Sequence, residues 1–470
     1  MDQLTQLLQN KFGFSRFRPG QRETLERLQH RQSVLAVLPT GAGKTLIYQL
    51  YGALLDRPVV IVSPLLSLMT DQVERMQYGG EKRVVALNSQ QSWTERQQTL
   101  AHLSQYRFIF ISPEMLANQT VLRELQQLDI GLFVIDEAHC ISQWAVDFRP
   151  DYLDLGKYWR ALGTPQLLLL TATASQRVQD DIIKKLQAPN VQKLVWNVDR
   201  SNIFLAEQTL ATETAKQDYL VKFVQQITGP GIIYFSSKKV ANQMTAKLQA
   251  ETDLQVAAYH ADLDTAARFT IQHQFMDDEL QLICATSAFG MGIDKANIRF
   301  VVHYHLPQDL ESYMQEIGRA GRDGHQSLAL LLYVPGDEQL SLTLVQRSIP
   351  TEHELELFEQ HQSATLNEQI RRLLQYYHDH NVDRTTLLQV FQAERKRKEQ
   401  AILLMVRYAL TTECRRTALL SRFSSTKTAD LTWCCDNDQP DWTVDQLGLA
   451  PTAPVAVPFR DWRQIIAELF

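Results

Sequence analysis

Short apolar runs rich in β-branched residues recur along the first two-thirds of the chain: SVLAVL (33–38), PVVIVS (58–63), FIFIS (108–112), LFVIDE (132–137) and QLLLLTAT (166–173). They are near-continuously apolar rather than alternating, and polar segments with helical spacing separate them. That combination predicts parallel strands covered by helices on both faces. The pattern restarts with GIIYFSS (231–237), LQVAAYH (254–260), LQLICATS (280–287) and FVVHYHLP (300–307). Two α/β units are expected, joined near the polar stretch NVDRSNIFLAEQTLATET (197–214). From about residue 336 the spacing turns helical and strand signals thin out. The end, LGLAPTAPVAVPFRDW, carries three prolines and is expected to be loosely structured or late-packing. The predicted division is 1–200, 201–335 and 336–470.

A length of 470 residues exceeds one ordinary core, in keeping with two or three domains. Hydrophobic content of 44% and charged content of 21% describe a globular chain, and PQLLLL (165–170) is far too short to cross a bilayer. MDQLTQLLQNKFG has no basic segment followed by an apolar one, so no signal peptide is expected. The five cysteines lack disulfide-scaffold spacing, which points to a reducing, cytoplasmic setting. A net charge of −6 argues against a wholly basic nucleic-acid binder but leaves room for a local basic groove.

Candidate chemistry begins at LPTGAGKTLIYQL (38–50), where a strand gives way to Thr40, Gly41 and Gly43 and a helix opens at Lys44. Glycines let backbone N–H groups curl around phosphate oxygens, and a helix N-terminus adds positive potential. Lys44 is expected on the β- and γ-phosphates and the Thr45 hydroxyl on Mg²⁺, although Leu38 stands where the eight-residue P-loop pattern has glycine. Asp136 and Glu137 follow a buried run, which delivers them to the ligand-binding edge of a sheet. Asp136 is read as the second Mg²⁺ holder and Glu137 as the group that orients and deprotonates water. In SYMQEIGRAGRDG (312–324), Arg319 and Arg322 are read as lying on one helical face, suited to spreading γ-phosphoryl charge, with Gln315 beside them. ATSAFGMGIDKANI (285–298) adds Gly290 and Asp294 in a loop fit for a cleft between the units.

Together these motifs resemble superfamily-2 helicases, and most closely the RecQ family of DNA helicases, over about residues 8 to 335. The resemblance implies two tandem RecA-like parallel-sheet domains, then a mainly helical C-terminal region. It also implies a DNA-dependent ATPase that tracks 3′ to 5′ along single-stranded DNA and opens forked or tailed duplexes in repair or recombination. FGFSRFRPGQ (12–21) looks like the family's adenine-reading segment, so Gln21 is expected on the adenine edge with Phe14 and Arg18 around the ring. The stretch after DEAH, CISQWAVDFRPDY, looks like the family's aromatic-rich, single-strand-sensing loop. Gln143, Trp144, Phe148, Arg149 and Tyr152 are the implied DNA contacts, and Ala145-Val146 replace the usual Gly-His.

AILLMVRYALTTECRRTALLSRF followed by CCDND resembles the RecQ zinc-binding hairpin, with departures: Thr432 and Asp438 stand where cysteines are expected. Two readings stay open: a zinc ion on Cys414, Cys434, Cys435 and Asp438, or a metal-free hairpin filled by Trp433 and Trp442. The run ERKRKE (394–399) reads either as a solvated helix face or as a DNA-backbone contact, and residues 340–390 match nothing nameable. A monomer is expected, with single-stranded-DNA-binding protein as a candidate partner and no membrane. Two other readings are an RNA helicase and an ATP-gated DNA-binding adaptor that does not unwind; the latter gains from the lack of a clear winged helix.

Overall fold

The computed structural model describes residues 2–64, 66–89, 91–143, 150–290, 295–428 and 431–451, apart from the side chains of Ser67, Gln143 and Ser363. The first sheet holds β1 (Val34–Val37), β2 (Val59–Val62), β3 (Val84–Leu87), β4 (Phe108–Ile111), β5 (Leu132–Ile135), β6 (Gln166–Thr171) and β7 (Gln192–Val195). Its order is β3-β4-β2-β5-β6-β1-β7, and every pair is parallel. All residues of β1, β2, β4 and β5 are buried, as strands packed on both faces require. Because β6 separates β1 from β5, the loops leaving β1 and β5 open onto one crevice at the carboxyl edge.

The second sheet is also wholly parallel. It contains β8 (Ile203–Thr209), β9 (Gly231–Tyr234), β10 (Val256–Tyr259), β11 (Leu282–Ala285), β12 (Phe300–His303) and β13 (Ser327–Tyr333), in the order β10-β11-β9-β12-β13-β8. The expected polar connector therefore contains an element: β8 pairs with β13 over its full seven residues. Its first four residues are buried and its last three are not, so a mixed composition is what its position at the sheet edge allows.

Beyond β13 come the helices Glu338–Ser348, Glu352–Glu359, Glu368–Asp379, Arg384–Ala409 and Arg415–Ser421. Local capping sets several of their starts: Thr351 and Glu354 form a reciprocal capping box, and Asn367 and Asp383 accept from Ile370 N and Thr386 N. Helices after β13 build a small core of their own from Ile370, Leu374, Tyr377, Leu387 and Phe391. Within ERKRKE, Arg395 donates to the Ile349 and Pro350 carbonyls and Arg397 to Glu394, so that much of the run serves internal bonding. The long helix and the cysteine hairpin instead join the main core, through Met405, Tyr408, Phe423 and Cys435. Residues up to Pro451 are less loose than expected: Leu447 and Leu449 are buried against the second lobe, and the Leu449 carbonyl accepts from Thr228 N at 2.8 Å. The rest of that proline-bearing end lies outside the described residues.

Candidate active site between the two lobes

The phosphate loop leaves β1 with Leu38 still tied to the sheet, its N–H donating to the Thr171 carbonyl at 3.0 Å. Gly41 (φ +83°) and Gly43 (φ +71°) are left-handed, and Gly43 caps the helix Lys44–Leu54. Consecutive carbonyls of this loop are turned outward onto side chains. Arg18 donates to Gly41 O, and the Gln21 amide nitrogen donates to Ala42 O at 2.8 Å and Gly43 O at 3.0 Å. Carbonyls pulled outward favour N–H groups turned inward toward an anion, although that of Ala42 donates to the Pro39 carbonyl at 3.0 Å. This differs from the adenine-reading role expected of Gln21: it is buried, and its amide oxygen already accepts from Arg18 N at 2.9 Å. Phe14, about half exposed, and Arg18 line the same cleft.

Asp136 and Glu137 stand at the end of β5, held to their neighbours by Asp136 N to Val62 O (2.9 Å) and Ala138 N to Leu170 O (2.8 Å). Glu137 has φ +48°, a left-handed conformation that costs a non-glycine residue about 1–3 kcal/mol and typifies functional turns. It faces Lys44, with Oε1 3.4 Å from Nζ. Burial, and then the adjacent Glu137 carboxylate, push Asp136 up to about 6. Burial acts the same way on Glu137, but Lys44 and His139 outweigh it and hold that carboxyl well below the usual range.

His139, Thr171 and Thr173 lie in the DEAH and LTATA stretches, which resemble family motifs without giving these three residues individual roles. His139 is buried, with Nδ1 3.0 Å from Thr171 Oγ1 and 3.3 Å from Glu137 Oε2. Gln315 crosses from the second lobe to donate to Thr173 Oγ1 at 2.8 Å, and its amide nitrogen lies 3.2 Å from His139 Nε2. The available signal was the pair of hydroxyl residues closing the buried run LLLLTAT.

Arg319 and Arg322 do not share a helical face. The helix Leu310–Ile317 stops at Gly318, and the segment turns at Gly321 (φ +57°), which breaks the i, i+3 relation. Both arginines nevertheless line the cleft of about 690 Å³ that Lys44, Thr45, Asp136 and Glu137 line from the other side. The approach is close: a Cβ on Gly318 would lie 2.9 Å from Thr40 of the phosphate loop. Arg319 is buried and donates to the Gly290 carbonyl. Asp294 lies outside the described residues.

A DEAD/DEAH box helicase family model matches residues 18–182, and a helicase conserved C-terminal domain matches residues 215–324. The chain is 44% identical over 355 residues to the probable ATP-dependent DNA helicase RecS of Bacillus subtilis, covering 76% of this chain and 72% of that one. It is 37% identical over 390 residues to the ATP-dependent DNA helicase RecQ of the same organism, covering 82% of this chain and 64% of that one. The chain belongs to the RecQ family of ATP-dependent DNA helicases. The S. cerevisiae protein Dbp5, solved with RNA and ADP BeF3, superposes with a TM-score of 0.58 at 22% identity, over 74% of this chain and 91% of that one, and so shares the fold of tandem RecA-like domains.

In this RecQ-family chain the aromatic-rich segment divides. Trp144, Phe148 and Arg149, with the Gln143 side chain, lie outside the described residues. Tyr152 is 0% exposed and sits in the first lobe's core among Leu155, Tyr158 and Ile141. Its ring is used for packing and is not available to stack on a base, which corrects its place among the DNA contacts.

Farther along, Cys414, Cys434, Cys435 and Asp438 place one ligand atom each within 4.8 Å of one another. Sγ of Cys414 is 3.6 Å from that of Cys434 and 3.9 Å from that of Cys435. A tetrahedral ion with metal–sulfur bonds of about 2.3 Å separates its sulfurs by roughly 3.8 Å, so these spacings fit zinc. Hydrogen bonding between the adjacent thiols lowers Cys435 and raises Cys434, so of the two Cys435 gives up its proton first.

Proposed function

We propose that this RecQ-family chain cleaves ATP in the seam between its lobes and uses the resulting opening and closing to move 3′ to 5′ on single-stranded DNA and separate duplexes in repair or recombination. The observation that carries this reading is that one cleft is lined by Lys44 and Glu137 from one lobe and by Gln315, Arg319 and Arg322 from the other. In the proposed reaction the water oxygen attacks the γ-phosphorus, the bond to the β–γ bridging oxygen breaks, and ADP leaves with the electron pair. Glu137, held ionised beside Lys44 and set in a left-handed placement, orients the water and takes its proton. Lys44 and the two arginines spread the charge on the transferring group. Thr45 and Asp136 would hold Mg²⁺, which supplies further neutralisation of phosphate charge; two adjacent carboxyls facing a single ammonium leave room for a cation.

The division into 1–200, 201–335 and 336–470, with Phe14 and Arg18 at the nucleotide base, Gln21 bracing the phosphate loop and Gly290 and Asp294 at the cleft, belongs to the same proposal. Gln143, Trp144, Phe148 and Arg149 are proposed to report DNA occupancy to Glu137, which lies a few residues upstream in the same segment. Cys414, Cys434, Cys435 and Asp438 are proposed to hold zinc. Forked and tailed DNA, a single-stranded-DNA-binding protein as partner, a monomer and a cytoplasmic location complete the reading. The test pairs ATP hydrolysis with unwinding of forked and tailed duplexes: Lys44→Ala is expected to abolish both while DNA binding stays measurable. Undiminished hydrolysis would overturn the assignment, and hydrolysis without unwinding in the unmutated chain would favour the adaptor reading.

A further inference from the structure

Arg200 lies just ahead of β8, in the connector between the lobes, and its guanidinium reaches four backbone carbonyls. One terminal nitrogen donates to Thr40 O of the phosphate loop at 3.0 Å and to Gly318 O of the arginine segment at 3.1 Å. The other donates to Ala320 O at 3.0 Å and Gly321 O at 2.6 Å. A single –NH₂ is thus divided between the two lobes, and any widening of the seam breaks one of its bonds. These acceptors are neutral dipoles, and burial, followed by the charges of Arg322 and Arg18, pushes the Arg200 guanidinium down to about 10. Three guanidiniums crowd a cleft that a polyanion would relieve.

The backbone of this connector is stitched to the C-terminal hairpin. Asp199 forms a buried ion pair with Arg416 at 2.6 Å and accepts from Thr428 N at 2.9 Å. Arg416 also donates to Arg200 O at 3.0 Å and to Cys434 O at 3.2 Å, so it links the cysteine turn to the residue that spans the seam. Asn197 and Val198 add bonds to Thr426 O and Ser425 Oγ.

We propose that Arg200 is a positioning residue for ATP hydrolysis, its guanidinium setting the gap between the phosphate loop and the arginine segment, and that the cysteine-bearing hairpin braces it through Asp199 and Arg416. This rests on the reading that ATP is cleaved in the seam. The planar fork is essential, because an ammonium at this depth lacks the geometry to serve four carbonyls in two directions. The hairpin thereby acts on turnover at a distance, through the hinge.

The experiment uses the full chain carrying Arg200→Gln or Arg200→Lys, with DNA-saturated phosphate release measured against ATP concentration and affinity for a fluorescent non-hydrolysable ATP analogue measured separately. Misplacing reacting groups by about 1 Å costs on the order of 10²-fold in rate, so kcat is expected to fall roughly 10- to 100-fold in Arg200→Gln while affinity changes less than about threefold. Arg200→Lys is expected between the two, and it carries the test if the glutamine variant does not fold. If Arg200 works by placing Arg319, then Arg200→Gln introduced into Arg319→Ala should cost less than about threefold further. Asp199→Asn is expected to lower kcat several-fold in the same direction. Wild-type kcat in Arg200→Gln, an equal loss in both backgrounds, or parallel loss of kcat, affinity and melting temperature would overturn the positioning role. Wild-type kcat in Asp199→Asn would overturn the bracing. An active Lys44→Ala would instead sink the seam reading itself; an inactive one beside an unaffected Arg200→Gln sinks only this proposal.

Discussion

The nucleotide seam and the cysteine cluster both gather side chains from distant parts of the sequence, but they are held in opposite ways. In the seam the backbone holds the groups assigned to chemistry. Left-handed Gly41 and Gly43 and the strained Glu137 sit between backbone bonds, Leu38 N to Thr171 O, Asp136 N to Val62 O and Ala138 N to Leu170 O, that remain when the Lys44 or Glu137 side chain is clipped. In the cluster the side chains hold one another: three thiols and Asp438 face inward, with Lys427 3.2 Å from Asp438. A site built on backbone should lose chemistry without losing fold, whereas a site built on its own ligands should lose fold first.

The sharpest way to break that contrast is Glu137→Gln, an isosteric change. Turnover is expected to fall on the order of 10³-fold, with the melting temperature within about 2 °C of wild type. Phosphate release and a thermal melt check both halves, and a collapsed melt would erase the distinction. Next in size, Cys435→Ser should take the purified protein from about one zinc per chain to none and lower stability by roughly 3 kcal/mol, read by metal analysis and denaturant titration. A full metal complement in that variant would show that the thiol is not a ligand.

Two aromatic residues eight positions apart offer a comparably direct test. Tyr152→Ala should cost about 3 kcal/mol of stability, measured by denaturant titration, because its ring fills the core. Trp144→Ala should leave the melt unchanged and lower DNA stimulation more than basal hydrolysis, reflecting roughly 1–3 kcal/mol of base stacking. The smallest effect, when read over the first pH unit below 6.5, concerns His305, pushed down to about 3 by burial and then by Lys216, with Nδ1 accepting from Ser236 N at 3.1 Å. Its folded pKa lies below the unfolded value of 6.5, so only the unfolded chain gains the proton between them. Stability from this group is full above pH 6.5 and declines as pH falls toward 3, by up to about 1.4 kcal/mol per unit. His305→Gln should flatten that part of the stability–pH curve.

What could be read from sequence tracks how local the cause is. Asp136 and Glu137 are legible because they follow a buried strand directly, and Lys44 and Thr45 because a glycine loop joins such a strand to the helix they open; parallel strand direction brings both pairs to one edge. The helical spacing beyond residue 336 was legible, although the separate core there was not, since only tertiary packing joins Ile370 to Phe391. β8 was read as a connector because its edge position tolerates polar residues, which blurs the strand pattern. Arg319 and Arg322 reach the cleft for a reason other than helical spacing: Gly318 and Gly321 redirect the chain between them. Gln21 and Tyr152 show that a motif names a residue without fixing what it touches. The roles of His139 and Arg200 are not legible locally, because Thr171 and Gln315 for the one and four carbonyls for the other come from more than thirty residues away.

The bridge between Leu205 and Cys435 covers part of the outer margin of β8, with Leu205 N donating to Cys434 O at 3.2 Å and Asp436 N to Leu205 O at 3.0 Å. On the ribosome, that cover arrives more than two hundred residues after the strand it protects. Until then IFLAEQT presents unpaired backbone able to template strand addition from another nascent chain. A product truncated before Cys434 would keep this sticky margin for good, making premature termination a route to aggregation rather than to a smaller enzyme.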